Sequence, residues 1–315
     1  MPDKERKPEQ KERERDKDKA KDKDKETKTS PTWERVLLAR HLQRPHALDF
    51  INALTDDFVE LHGDRRFGDD SALVGGLARF EGRAVVVMGH QKGRDTKENL
   101  YRNFGMTRAE GYRKALRLMQ HAAKFHMPVL SFIDTSGAFP GKEGEERGIA
   151  QAIAENLFEM SKLPVPIIAL VTGEGGSGGA LAISVADRLM MLENAIYSVV
   201  SPEGCATILW RDASQAPAAA EAMKITAADL YGFGIIDEVI PEPAGGAHTD
   251  PITLMATVKQ TILRNLLELE ERYTRQGEAG LQAMLEARYQ KYRQMGRWVE
   301  LSEENLGLNQ LSGIL

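Results

Sequence analysis

Residues 165–183 read VPIIALVTGEGGSGGALAI, and no other stretch restricts the fold of this chain so closely. An apolar, β-branched run meets Gly173, Gly175, Gly176, Gly178 and Gly179, then an alanine-rich segment. The pattern predicts a strand, a glycine turn and a helix N-terminus. Glycine lets backbone approach a ligand with its N–H groups uncovered. At the positive end of a helix dipole, such groups favour negative charge. The turn is therefore a candidate site for an oxyanion or a phosphate.

The flanking sequence predicts an α/β class. Helical spacing runs over Trp33–Leu42, His46–Leu61, Thr107–Phe125 and Glu145–Leu163, the last with Ile149, Ile153, Leu157 and Met160 inward. Ala72–Phe80 and Ala84–Met88 read as a hairpin around Glu81-Gly82-Arg83. Buried strands are expected at Val129–Ile133 and Ile167–Val171, each running into a glycine-bearing turn and a helix. Arg188–Leu192, Ile196–Val199 and Ile235–Ile240 are further strands, and Pro202 suits the first residue of a helix. Ile252–Tyr273 and Leu281–Tyr292 read as amphipathic helices of the exposed type.

Composition narrows the function classes. A single cysteine, Cys205, excludes an internal disulfide and a Cys-rich zinc module, so no metal site is expected. No apolar run spans a bilayer or forms a signal core, and a cytoplasmic setting without membrane contact is expected. Residues 1–30 carry 12 Lys/Arg and 10 Asp/Glu and no aromatic residue, a composition that cannot offset chain entropy. Residues 1–31 are expected to be a disordered charged tail, 32–295 one domain with its core at about 70–245 between helical flanks, and 296–315 a C-terminal tail. Beyond residue 30 the balance is 30 basic to 37 acidic residues, no match for nucleic acid.

Several readings compete for the glycine turn. Gly173, Gly175 and Gly178 spell a dinucleotide fingerprint for NAD, with Glu193 about 20 residues on. Against it, only about ten residues precede the next strand, short for a parallel crossover. Gly175 to Gly179 also spell a nucleophile elbow around Ser177, with Asp229 or Asp237 and then His248 downstream, as a serine hydrolase or thioesterase would need. A third reading requires no side-chain chemistry. Backbone N–H groups at Gly178 and Gly179 form an oxyanion hole, and the loop Asp134-Thr135-Ser136-Gly137-Ala138 supplies neighbouring N–H groups. A fourth is a packing turn without a ligand. Asp134 and Glu174 flank the loops and suit hydrogen-bonded loop geometry better than proton transfer. Cys205 suits a small buried apolar role.

A set of motifs occurs together and in order: GHQKGR (89–94), RNFGM (102–106), EGYRKALRLMQ (110–120), FIDTSGAFPG (132–141), EERG (145–148), GEGGSGGALAI (173–183), YSVVSPEGCATILW (197–210) and IPEPAGGAH (240–248). Over roughly Trp33 to Tyr292 the chain closely resembles the carboxyltransferase α-subunit family of the multi-subunit acetyl-CoA carboxylases of bacteria and plastids. The resemblance implies a crotonase-like (ClpP/crotonase) ββα spiral with flanking N- and C-terminal helices. It implies transfer of a carboxyl group from carboxybiotin to acetyl-CoA, giving malonyl-CoA for fatty acid synthesis. It further implies a β subunit in an α2β2 assembly, a biotin carboxyl carrier protein and a biotin carboxylase. No cofactor would bind directly: biotin rides on the carrier, and zinc belongs to the β subunit. Gly178 and Gly179 match the oxyanion hole expected on the biotin side. Gly175, Gly176, Ser177, Ser136, Gly137, Ala138, Lys92 and Arg94 are expected around it. Ser136 stands where relatives often have proline.

Overall fold

The computed structural model describes residues 30–296. The two expected tails, 1–31 and 296–315, fall almost wholly outside them. Among the described residues one sheet holds eight strands: β1 (Asp56–Glu60), β2 (Leu73–Phe80), β3 (Arg83–His90), β4 (Val129–Thr135), β5 (Ile167–Gly176), β6 (Arg188–Leu192), β7 (Ile196–Ser198) and β8 (Glu238–Ile240). Their order is β1-β2-β3-β4-β5-β6-β8, with β7 paired to the end of β5. The first three strands are antiparallel, and the others pair parallel across helical connections. The expected hairpin is present. Phe80 pairs with Arg83, and Glu81 and Gly82 between them take φ of 48° and 76°, the type I′ turn that matches strand twist.

β4 and β5 are buried along their whole length, as a parallel sheet covered on both faces requires. Between β3 and β4 runs the helix Ala109–Phe125. It buries Ala109, Tyr112, Ala115, Leu118, Met119 and Ala122 along one stripe. His126 ends it in the left-handed region, and the Met127 N–H donates to the Ala122 carbonyl at 2.9 Å. This closure satisfies the last carbonyls and turns buried Met127 toward the core.

Three expectations are corrected. The helix expected over 46–61 stops at Leu54, and Asp56–Glu60 becomes β1. The spacing of Phe58 and Leu61 suits a helix, but β2 offers an edge of unpaired backbone groups. Pairing with it satisfies both strands, and Phe58 and Leu61 still pack on the core. The helix expected over 145–163 is two helices, Lys142–Glu146 and Ile149–Lys162, separated at Gly148 with φ of 75°. Its buried residues are Ile149, Ala152, Asn156 and Met160, so Ile153 and Leu157 lie on the flank. The C-terminal helices are not exposed struts. Pro251–Arg272 buries Leu254, Val258, Ile262, Leu266 and Leu269, and Gly277–Arg293 buries Met284 and Arg288.

Candidate active site

The segment that reads as a turn is the end of a strand. Glu174, Gly175 and Gly176 pair with Ile196, Tyr197 and Ser198 of β7, and Gly175 also pairs with Thr135 of β4. The glycines are there chiefly to let neighbours in. A Cβ on Gly173 would lie 2.4 Å from Asp134 Oδ1, and on Gly175 2.1 Å from the Tyr197 ring. On Gly176 it would lie 2.2 Å from the Ser136 carbonyl oxygen, and on Gly179 2.5 Å from the Ala138 nitrogen. Gly178 differs, since its nearest neighbours would be Ile153 methyl groups at 3.7 Å and 3.9 Å, ordinary contacts.

The helix Ser177–Leu181 begins at this strand end. Its N-cap, Gly176, gives no side-chain hydrogen bond, so the first-turn N–H groups have no side-chain cap. Ser177 enters with φ of 54° and is exposed, Gly178 is half-buried and Gly179 is buried. Gly178 opens on a cavity of about 400 Å³ walled by Leu181, Tyr197, Val199, Met223 and Ile225. Gly179 faces the loop after β4 instead, where Ser136 is exposed, Gly137 has φ of 154°, and the Phe139 N–H donates to the Thr107 carbonyl at 3.0 Å. The two loops therefore meet, as their positions after adjacent parallel strands demand. A larger concavity of about 640 Å³, lined by Asn52, Ile252 and Lys259, includes neither loop.

Behind the loops lies a charged network. Asp134 Oδ1 accepts from Lys92 Nζ at 2.7 Å and from the Glu174 N–H at 3.0 Å. Lys92 also donates to Glu174 at 3.0 Å, and Arg40 joins Glu174 at 2.7 Å to Glu203 at 2.6 Å. His46 Nδ1 lies 3.3 Å from Asp134 Oδ2. Burial alone would lower the Lys92 ammonium, but the Asp134 and Glu174 carboxylates outweigh it and push it up to about 12. Burial would raise Asp134, but Lys92 and His46 hold it well below the usual carboxylate range. Both carboxylates thus fix loop geometry.

The network has a pH signature. The raised Lys92 contributes stability fully below its ordinary 10.5 and loses it as pH rises toward 12. The depressed Asp134 contributes fully above its ordinary 3.8 and loses it as pH falls further. Melting curves are expected to lose stability outside that window, and Lys92→Met is expected to remove the alkaline limb. An unchanged alkaline limb in the variant would assign it to other groups.

The structure brings together Ser136, Gly137, Ala138, Gly175, Gly176, Ser177, Gly178 and Gly179. Lys92 stands behind them with its side chain 16% exposed and paired to Asp134 and Glu174, while half-exposed Arg94 pairs with Asp49 at 2.5 Å. Neither lines the cavity beside Gly178. Cys205 is half-buried rather than buried. The alternative constellations do not assemble. His248 stacks on His41 at 3.6 Å, Asp229 accepts from the hydroxyl of its N-cap Thr226 at 2.7 Å, and Asp237 binds the Leu189 N–H and Lys291. Glu193 accepts from the Glu242 N–H, and Gly173 is filled by Asp134. Sequence reasoning missed Arg40 and His46. Their partners lie far along the chain, and no local pattern marks them.

Comparisons with known proteins follow the same line. A family model described as acetyl co-enzyme A carboxylase carboxyltransferase-like matches residues 3–296. The acetyl-coenzyme A carboxylase carboxyl transferase subunit alpha of Geobacter metallireducens is 55% identical over 268 residues, covering 85% of this chain and 82% of that protein. The protein of the same name from Bacillus cytotoxicus is 56% identical over 265 residues, 84% of this chain and 80% of its own. Among solved structures, a transcarboxylase 12S chain superposes with a TM-score of 0.58 at 22% identity, over 74% of this chain but only 44% of that one. A Pseudomonas malonate decarboxylase hetero-dimer gives 0.58 at 19% identity, over 70% of this chain and 89% of its own. These likenesses show the crotonase-like fold.

Proposed function

The chain belongs to the acetyl-coenzyme A carboxylase carboxyltransferase family, and on that premise we propose that its glycine helix start holds the oxyanion left on biotin during carboxyl transfer. It is an alpha subunit of a carboxyltransferase, and the transfer runs from carboxybiotin to acetyl-CoA to give malonyl-CoA, the entry to fatty acid synthesis. The observation that carries the reading is the meeting of two loops at an uncapped helix start beside an apolar cavity.

Carboxybiotin supplies the carboxyl group when bound. This chain contributes placement and charge stabilisation. The N–H groups of Gly178 and Gly179 are the donors to the developing negative charge. Leu181, Val199, Met223 and Ile225 fit an apolar ring system and exclude water, which strengthens those donors. Gly175, Gly176, Ser136, Gly137 and Ala138 shape the junction, and the exposed Ser177 hydroxyl stands at the mouth as a hydrogen-bonding group. Lys92 acts at one remove by fixing both loops, and Arg94 lies outside the cavity.

The site is half of a whole. A partner β subunit supplies the other oxyanion hole and the zinc, in an assembly of two copies of each chain. A biotin carboxyl carrier protein and a biotin carboxylase complete the cycle in the cytoplasm. Among the described residues no helix is long and apolar enough to cross a membrane. Purified alone, the chain is expected to show no exchange between malonyl-CoA and biocytin, and adding the partner subunit is expected to restore it. Full exchange by this chain alone would sink the half-site reading.

A further inference from the structure

Among the described residues, Tyr197 is the only aromatic side chain that lines the cavity beside Gly178. It stands on β7 opposite Gly175, three positions before Gly178. Its ring takes the space of the missing side chain there, since a Cβ on Gly175 would lie 2.1 Å from Tyr197 Cδ2 and 2.9 Å from Cε2. The Tyr197 N–H donates to the Ile225 carbonyl at 3.1 Å. Its hydroxyl lies 2.9 Å from Ser184 Oγ. Ser184 is 2% exposed and does not line the cavity. The Ser184 N–H donates to the Leu181 carbonyl at 3.1 Å, and the Ser184 carbonyl lies 3.3 Å from the Tyr292 hydroxyl. The end of β5, the end of the glycine helix and the C-terminal helix thus hold one ring.

A leucine or a methionine would line the cavity without needing a buried polar partner. A tyrosine whose hydroxyl is satisfied outside the cavity offers the cavity its ring. Such a ring is a flat wall with only two side-chain torsions to fix, and here Gly175 seats it while Ser184 tethers it. The other apolar walls, Leu181, Val199, Met223 and Ile225, are aliphatic and have no flat face. We propose that Tyr197 is a specificity-determining residue, the fixed wall against which the ring system of biotin lies so that its oxygen meets the helix start at Gly178. The proposal rests on the oxyanion-hole reading.

The test uses the complex of this chain with its partner subunit, assayed with malonyl-CoA and biocytin. Tyr197→Leu is expected to raise the biocytin KM on the order of 3- to 10-fold, the range for one aromatic contact beyond its burial, with the malonyl-CoA KM within about twofold. Tyr197→Phe keeps the ring in its seat and should recover most of that loss. If the leucine variant does not assemble, Tyr197→Met fills the volume with a flexible chain and takes its place under the same criteria. A ring that only packs over Gly175 would move the melting temperature and leave the biocytin KM alone. The proposal fails on that result, on a malonyl-CoA KM that rises in step, or on a Tyr197→Phe complex as impaired as the leucine one. Gly178→Val separates the two readings. An active Gly178→Val complex would remove the hole and this proposal with it, whereas an inactive one beside an unaffected Tyr197→Leu would remove only the role of Tyr197.

Discussion

Gly178→Val is expected to cut turnover on the order of 10²- to 10³-fold, the range for loss of one oxyanion donor, while the fold is retained. A Cβ at Gly178 meets only Ile153 methyl groups at 3.7 Å and 3.9 Å, so the backbone has no reason to move. The valine side chain would instead add bulk at the helix start, on a residue that lines the cavity. The neighbouring change, Gly179→Val, is a poor probe. Its Cβ would lie 2.5 Å from the Ala138 nitrogen and 2.6 Å from the Gly137 carbonyl carbon, so one loop must move. Kinetics of the assembled enzyme with a melting curve on each variant separate the two effects. Wild-type turnover in a folded Gly178→Val complex would return the segment to a purely structural role.

Arg288→Met is expected to cost about 3–5 kcal/mol, the usual consequence of leaving a buried charge unpaired. Arg288 is 2% exposed. Its Nε and Nη2 donate to the two oxygens of Asp187 at 2.8 Å and 2.7 Å, and its remaining N–H groups reach the carbonyls of Met160, Leu163 and Val165. Asp187 also accepts the Ile167 N–H at 2.8 Å. One guanidinium thus ties the last helix to the segments entering β5 and β6, and removing it orphans a carboxylate and three carbonyls. Arg264→Met is the contrast. Its ion pair with Glu238 has the arginine 63% exposed, and its loss should cost no more than about 1 kcal/mol. Denaturant titrations of both variants check the difference, and equal midpoints would contradict it.

The parts of the fold legible in the sequence are those whose signals are local. The hairpin turn at Glu81-Gly82, the stripe of Ala109–Phe125 and the apolar runs of β4 and β5 each depend on neighbours within a few residues. The misread parts depend on distant ones. Phe58 and Leu61 keep helical spacing but lie on and just past a strand, because the edge of β2 is there to pair with. The glycines at 173, 175 and 176 read as a turn because a chain-breaking glycine and one that admits a neighbour look the same in a sequence. Arg40 and Glu174 lie 134 positions apart yet form one ion pair.

By itself the sequence determined the family and the α/β class, and it marked a candidate site, since ordered motifs and a glycine-rich strand-to-helix junction are properties of the chain in one dimension. Only the tertiary structure decided what each glycine does. Whether a missing side chain makes room for Asp134, for Tyr197, for the Ser136 backbone or for only loose contact with Ile153 depends on atoms brought in by other segments. Four of the five glycines answer to packing, and Gly178 alone is left facing the cavity. That separation is a matter of distances of a few ångströms between segments remote in sequence, which spacing along the chain does not encode.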